Sequence, residues 1–499
     1  MNILSKNRPN TLVLLAAFAL TLATPWFSRA ANGIWTNTTS GGLWSTTSNW
    51  TNAIVADASG FTADFNSINI TTDPTVVHMD TARTIGNLTF GDTTTSSAAS
   101  WVLDNNATAA NALTLAGGTP TITVNALGTG KNATIGPVLA GSTPWVETGA
   151  GILVLTNANT FSGGFTVNSG GTLVANVASA LGANGSAMVN GTLDLNAGAV
   201  TYTGLTNSMS GSGTVNVVLG TGSATTTLNA NNSGFNGFIN LGTNGLTGAV
   251  SAAAAGKAQM LGLMGSSAVV NVLANSTLIV NGAVTNPAAL NLYGGDTGES
   301  LGQLRIESAG VWAGPVTLAG AITGAGDGIM GANSGTGTVT GNITEANGSQ
   351  QFIKVGNGTL VLSGTNKWTG PTIVNGGTLA LIGNQTNVTG GFYVGTNTAG
   401  VGLNIGSSLQ TAPTTLVVSS NAIVLTASAG TSYSTINISG ANSVPTYVTN
   451  NGTMSIGRDS GFNVNNYATW VQNSNLTVQA NGGYPGNFTV SAGGTYVYN

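Results

Sequence analysis

Apolar and small polar residues alternate along most of this chain, in short runs set between glycines. Leu153-Val154-Leu155 and Thr378-Leu379-Ala380-Leu381 are two such runs, with apolar residues at every second position. That is the period of a β-strand with one buried face. The runs are separated by Thr-Asn, Thr-Gly and Asn-Gly-Gly, in which Gly and Asn take positive φ at little cost. A strand this short cannot bury its face alone. Stacked coils can, because each coil covers the previous one and pairs with its backbone groups. Strand signals recur about every ten residues, which predicts a coil of roughly 20–25 residues. About twenty coils at roughly 4.8 Å each would build a rod approaching 100 Å.

Internal similarity supports stacking. The segment from Gly149 to Ala175, GAGILVLTNANTFSGGFTVNSGGTLVA, matches that from Gly356 to Leu381, GNGTLVLSGTNKWTGPTIVNGGTLAL. At constant offset Leu153 meets Leu360, Asn159 meets Asn366, Phe161 meets Trp368 and Gly163 meets Gly370. One extra residue in the first copy, near Ser169, restores the match of Gly171-Thr172-Leu173 to Gly377-Thr378-Leu379. Leu228 to Gly242 is a weaker third copy that keeps an aromatic, Phe235, and the glycine two residues on. The aromatic of each copy is expected to fold over the end of the apolar stack. Intervening stretches such as Asn190 to Val217 read as coils with other turns. Ala-rich Ser251 to Gly265 is the candidate for a short helix.

The two ends of the first eighty residues differ from the repeats. Lys6 and Arg8 precede the apolar stretch Leu12 to Ala23, and Ser28-Arg29-Ala30 offers small residues at a cleavage site. Residues 1–30 therefore read as an export signal cut after Ala30. Residues 31–80 carry Trp35, Trp44 and Trp50, then Phe61 and Phe65, and read as a cap over the open end of the solenoid. The alternative for the three tryptophans is a glycan-binding platform. Residues 81–499 are the expected solenoid. No later segment is long and apolar enough to span a membrane as a helix.

Composition narrows the function. Only 5% of the 499 residues are charged and none is Cys, so Thr, Asn, Ser and Gly supply the polar surface. The formal net charge is −4. Ten Lys+Arg against 14 Asp+Glu leave no electrostatic footprint for nucleic acid. A long solenoid with a continuous core needs no disulfides to survive outside the cell.

The run GNGTLVLSGTNKWTGPTIVNGGTLAL resembles the repeat of autotransporter-associated β-strand proteins, also called passenger-associated transport repeats. Ala63 to Thr71, Ala82 to Asp92 and Leu304 to Thr323 are similar to other stretches of such proteins. The resemblance implies an all-β, right-handed parallel β-helix of the pectin-lyase-like kind. It also implies export and a secreted or cell-surface, non-catalytic role as a passenger-like, adhesin-like scaffold. The implied partners are the export machinery and surface glycans or neighbouring surface proteins. Some members are threaded through an outer-membrane barrel. The last hundred or so residues here show no series of barrel strands, so either release or a longer chain is expected.

Parallel β-helices also host polysaccharide lyases and hydrolases, which need positioned carboxylates or a metal with a basic proton acceptor. The densest acidic group is Asp296, Glu299, Arg305, Glu307 and Asp327. Arg305 and Glu307, two apart, would share a strand face. A surface ion pair is the plainer reading of that patch. His78 is the single His and sits beside Asp80 in TVVHMD, near Arg83. It reads as a paired surface residue. No GxxxxGK[ST], GxSxG or HExxH string is present, and no cofactor or metal is expected.

Overall fold

A computed structural model of the chain describes residues 30–499 except 95, 184, 199, 203–204, 206–207, 221–224, 229–230, 244–256, 261, 296, 321–326, 383, 386, 389, 396–401, 406–413, 419–422, 426–433, 442–443, 458–459 and 479–485. The signal segment thus lies outside the described residues.

The alternation builds columns of parallel strands. One sheet of thirteen strands climbs from Gly42–Leu43 through Thr75–His78, Trp101–Asp104 and Ile152–Leu155 to Ile343–Glu345. A second climbs beside it from Gly33–Ile34 and Ala58–Phe65 to Asn231–Phe235. From Thr225–Leu228 a further column of eleven strands runs to Leu476–Val478, and one of nine strands runs from Thr285–Asn286 to Asn487–Val490. In this upper region each winding passes through three strands, for example Gln351–Val355, Thr359–Leu362 and Lys367–Trp368. This is a parallel β-helix solenoid.

Register fixes the coil length. Trp145 pairs with Phe165 and Thr359 with Thr378, so a coil of the sharp repeats spans 19–20 residues. Elsewhere Phe238 pairs with Val269 and Gly402 with Thr435, coils of 31 and 33 residues. The expected 20–25 residues is therefore too narrow, because extra residues loop out between strands without disturbing the ladder. The two apolar runs of each repeat are vertical neighbours: Leu153 pairs with Leu173, and Leu360 with Leu379. Each copy is one winding that lands on itself.

The core is a slim column. In Trp101–Asp104 the residues alternate buried and half-buried, and Leu103, Ile135, Leu155, Ala175 and Leu195 succeed one another inside. The region before residue 81 already belongs to the stack, since Ala58–Phe65 pairs with Arg83–Phe90 and Thr75–His78 with Trp101–Asp104. The described portion of the Ala-rich segment is not helical: Lys257–Met260 is a strand paired on both sides. Its alternation overrides the helix propensity of the alanines before it.

Candidate functional site

The three tryptophans close the first coils from inside. Trp35, Trp44 and Trp50 are 0%, 0% and 2% exposed. Trp35 meets Trp50 edge-on at 5.1 Å, Trp44 lies 5.3 Å from Trp50, and all three pack on Phe65. Their indole N–H groups donate to the carbonyls of Asn37, Ala56 and Trp44, at 2.8, 3.0 and 2.7 Å. No indole face is open to stack on a sugar, so these residues do not form the glycan platform considered from sequence.

The charged patch is a closed network. Lys257 Nζ donates to Glu299 Oε1 at 2.7 Å, and Arg305 Nη1 lies 3.8 Å from Glu299 Oε2. Arg305 Nε donates to Glu307 Oε1 at 2.5 Å, as two residues on one face should. Glu307 also accepts the backbone amides of Asn333 and Ser334. Asp296 lies outside the described residues. Asp327 does not join the patch: Gly331 pairs with Arg305, and Asp327 begins the same strand four residues earlier, roughly 13 Å along it. Both glutamates are engaged by cations, so neither is poised as a free acid or base. Among the described residues no three His, Asp or Glu gather as a metal site.

His78 does pair with an aspartate, but not Asp80. Its Nδ1 lies 2.7 Å from Oδ1 of Asp104, its register partner on the next coil. Asp80 instead accepts the Ser45 amide and hydroxyl and lies 4.0 Å from Arg83, which bonds Asp57 at 3.0 Å.

The shared residues of the sharp repeats have shared work. Asn159 Oδ1 accepts the Leu139 amide at 2.8 Å, and its Nδ2 donates to the Ala180 carbonyl at 2.7 Å. Asn366 Oδ1 accepts the Ile343 amide at 2.9 Å, and its Nδ2 donates to Gln385 Oε1 at 2.9 Å. Each buried amide thus ties the coil below to the coil above. Phe161 packs edge-on against Trp145 at 5.5 Å, and Trp368 stacks on Phe352 at 4.9 Å. A Cβ on Gly163 would lie 2.4 Å from the Thr143 carbonyl carbon, and one on Gly370 2.3 Å from the Gln350 oxygen. The coils approach too closely there for any side chain. Between the copies, Asp194, Asn216, Asn240, Asn271 and Asn291 form an amide ladder at 2.7–2.8 Å per step. It runs on the outward side of the thirteen-strand sheet, not in the interior as expected, because the core positions flank it.

Two buried ionisable groups escaped the sequence reading. Burial raises the Glu147 carboxyl to about 8, partly offset by the Thr172 amide. Burial lowers the Lys354 ammonium to about 8. On the surface, a shallow groove of about 410 Å³ is lined by Val444, Pro445, Tyr467, Ala468, Thr469, Gly493 and Thr495. Tyr467 is 42% exposed, and Tyr447, in register with Thr469, is 49% exposed.

The geometry defines a repeat-built β-solenoid in which a recurring motif makes one self-stacking winding. That motif is the passenger-associated-transport-repeat, matched at residues 146–175 and 352–381. The weaker copy at 228–242 falls outside both matches. The chain is also 43% identical over 100 residues to the adhesin BmaC autotransporter of Brucella suis biovar 1 (strain 1330), a stretch covering 20% of this chain and 3% of that protein. The chain thus spans a small fraction of that relative's length. No solved structure matches.

Proposed function

We propose that this chain is a passenger-like scaffold displayed at, or released from, a bacterial cell surface, with an adhesive rather than a catalytic role. The observation that carries this reading is that two passenger-type repeats each form a complete rung of one continuous parallel stack. Such a rod sets a binding surface at a distance from whatever holds its base. The adhesin named above supports the adhesive element of this reading. The segment 1–30 delivers the chain to the export machinery and is cleaved after Ala30. Labelling of intact cells that express the chain, followed by N-terminal sequencing of the labelled protein, tests display. Label reaching the chain only after permeabilisation contradicts it.

Surface glycans are the proposed contact, with neighbouring surface proteins as the other class of partner. The groove beside Tyr467 favours a saccharide: an exposed aromatic face flanked by the Thr469 and Thr495 positions, with no charged residue in the lining. Saturable binding on a glycan array should weaken in Tyr467→Ala and Tyr447→Ala while Trp44→Phe binds normally. An array with no saturable signal contradicts glycan contact.

A further inference from the structure

Glu147 and Lys354 hold the same place in two copies of one repeat. With the copies aligned, Trp145 meets Phe352 and Glu147 meets Lys354, on strands Trp145–Thr148 and Gln351–Val355. Both side chains are fully buried. In the second copy Lys354 Nζ donates to the carbonyls of Val355, Gly356 and Gly376, at 2.8, 2.9 and 2.9 Å. That pocket is walled by backbone oxygens and selects a cation.

The first copy repeats the same backbone turn. Gly149 and Gly356 both have positive φ. The amides of Gly151 and Gly358 both donate to the coil below, at 2.8 and 2.9 Å. Asn168 and Asn375 both donate to the carbonyl of the ionisable residue, at 3.0 and 2.8 Å. Into this turn the first copy sends a carboxylate. Neither of its oxygens has a hydrogen bond of normal geometry. Gly171 packs against it so closely that a Cβ there would lie 2.1 Å from Oε2. A buried anion beside carbonyl oxygens needs a compensating positive charge.

Chain lengths show where that charge would sit. A glutamate is one bond shorter than a lysine, so its carboxylate oxygens come level with the lysine Cε, about 1.5 Å short of the ammonium. A hard cation held roughly 2.3–2.6 Å from a carboxylate oxygen falls close to the ammonium's place. We propose that Glu147 and the turn around Gly149 and Gly171 form a buried site for a hard, oxygen-preferring metal cation, standing where the second repeat carries the ammonium of Lys354. The donors are oxygens alone, which suits calcium or an alkali ion and disfavours a zinc-like ion.

The test uses the full chain purified in choline chloride and titrated with CaCl2, NaCl or KCl in separate arms at constant ionic strength. Thermal midpoint and the infrared band of a protonated carboxyl are followed at pH 7. One metal salt should raise the midpoint saturably and remove the band, and E147Q should lose at least about tenfold of the apparent affinity. E147K, which places the second repeat's residue in the first, should fold with a midpoint indifferent to the salt. If every arm tracks choline and the band persists, Glu147 is a neutral buried acid and the proposal is overturned. A response kept intact in E147Q overturns the assignment to this residue.

Discussion

Asn159 and Asn366 illustrate how single residues hold the stack. Each satisfies a buried backbone N–H of one coil and a carbonyl oxygen, from backbone or side chain, of another, so truncation orphans groups on both sides. Asn366→Ala should cost about 1–3 kcal/mol in unfolding free energy measured by denaturant titration; a change within error would show that water replaces the amide freely. The buried charges predict a pH signature. Glu147 titrates near 8 in the folded chain against an ordinary 4.5. Between roughly pH 4.5 and 8 the unfolded chain has lost a proton that the folded chain keeps. Stability in metal-free choline buffer should therefore fall as pH rises through that window, by up to about 1.4 kcal/mol per pH unit. Lys354 has the opposite sense: from roughly pH 8 to 10.5 the unfolded chain keeps a proton that the folded chain has lost, and stability rises. Thermal midpoints across pH 4.5–10.5 check both, with Glu147→Gln abolishing the fall and Lys354→Met the rise. None of this is legible from residue order, because the sequence shows that Glu147 and Lys354 align but not that their strand face points inward.

At the scale of the element, strands and turns were largely legible and their neighbours were not. Alternation placed Leu153, Leu155, Leu360 and Leu362 on buried faces, where they lie. The pairing of His78 with Asp104 was hidden, since the partner is a register neighbour 26 residues away, whereas Asp80 is only a sequence neighbour. The tryptophans misled for a related reason: composition reports aromatic mass, but which side of the coil it fills depends on the turns between Trp35 and Trp50. Coil length was legible where the repeat is sharp and lost where insertions carry no periodic signal. The aromatic plug makes its own prediction. Trp44→Ala should cost about 3–5 kcal/mol locally and open the first coils to amide exchange, while amides of the coils around Phe352 and Trp368 keep their protection. Uniform loss of protection along the chain would mean that the stack melts as one body.

The whole molecule rests on one arrangement, in which hydrogen bonds run along the rod between parallel strands of successive coils. The longest sheet carries it through thirteen strands, and the two passenger-type repeats fall in different columns of the same stack: Thr172–Ala175 in the thirteen-strand sheet, Thr378–Leu381 in the nine-strand one. A motif that can sit on more than one side of the solenoid is a winding rule rather than a binding site. This is why the family was legible from sequence while any ligand was not. The chain has no Cys, so paired cysteines report register without background. Val269 pairs with Ala289 and Asn271 with Asn291, each about 4.8 Å apart and within reach of a disulfide. The crossed pairs Val269 with Asn291 and Asn271 with Ala289 are roughly 8 Å apart, beyond that reach. Under mild oxidation the two in-register double-cysteine variants should form an intramolecular disulfide and the two crossed variants should not. The reverse result would mean antiparallel pairing and would contradict the solenoid itself.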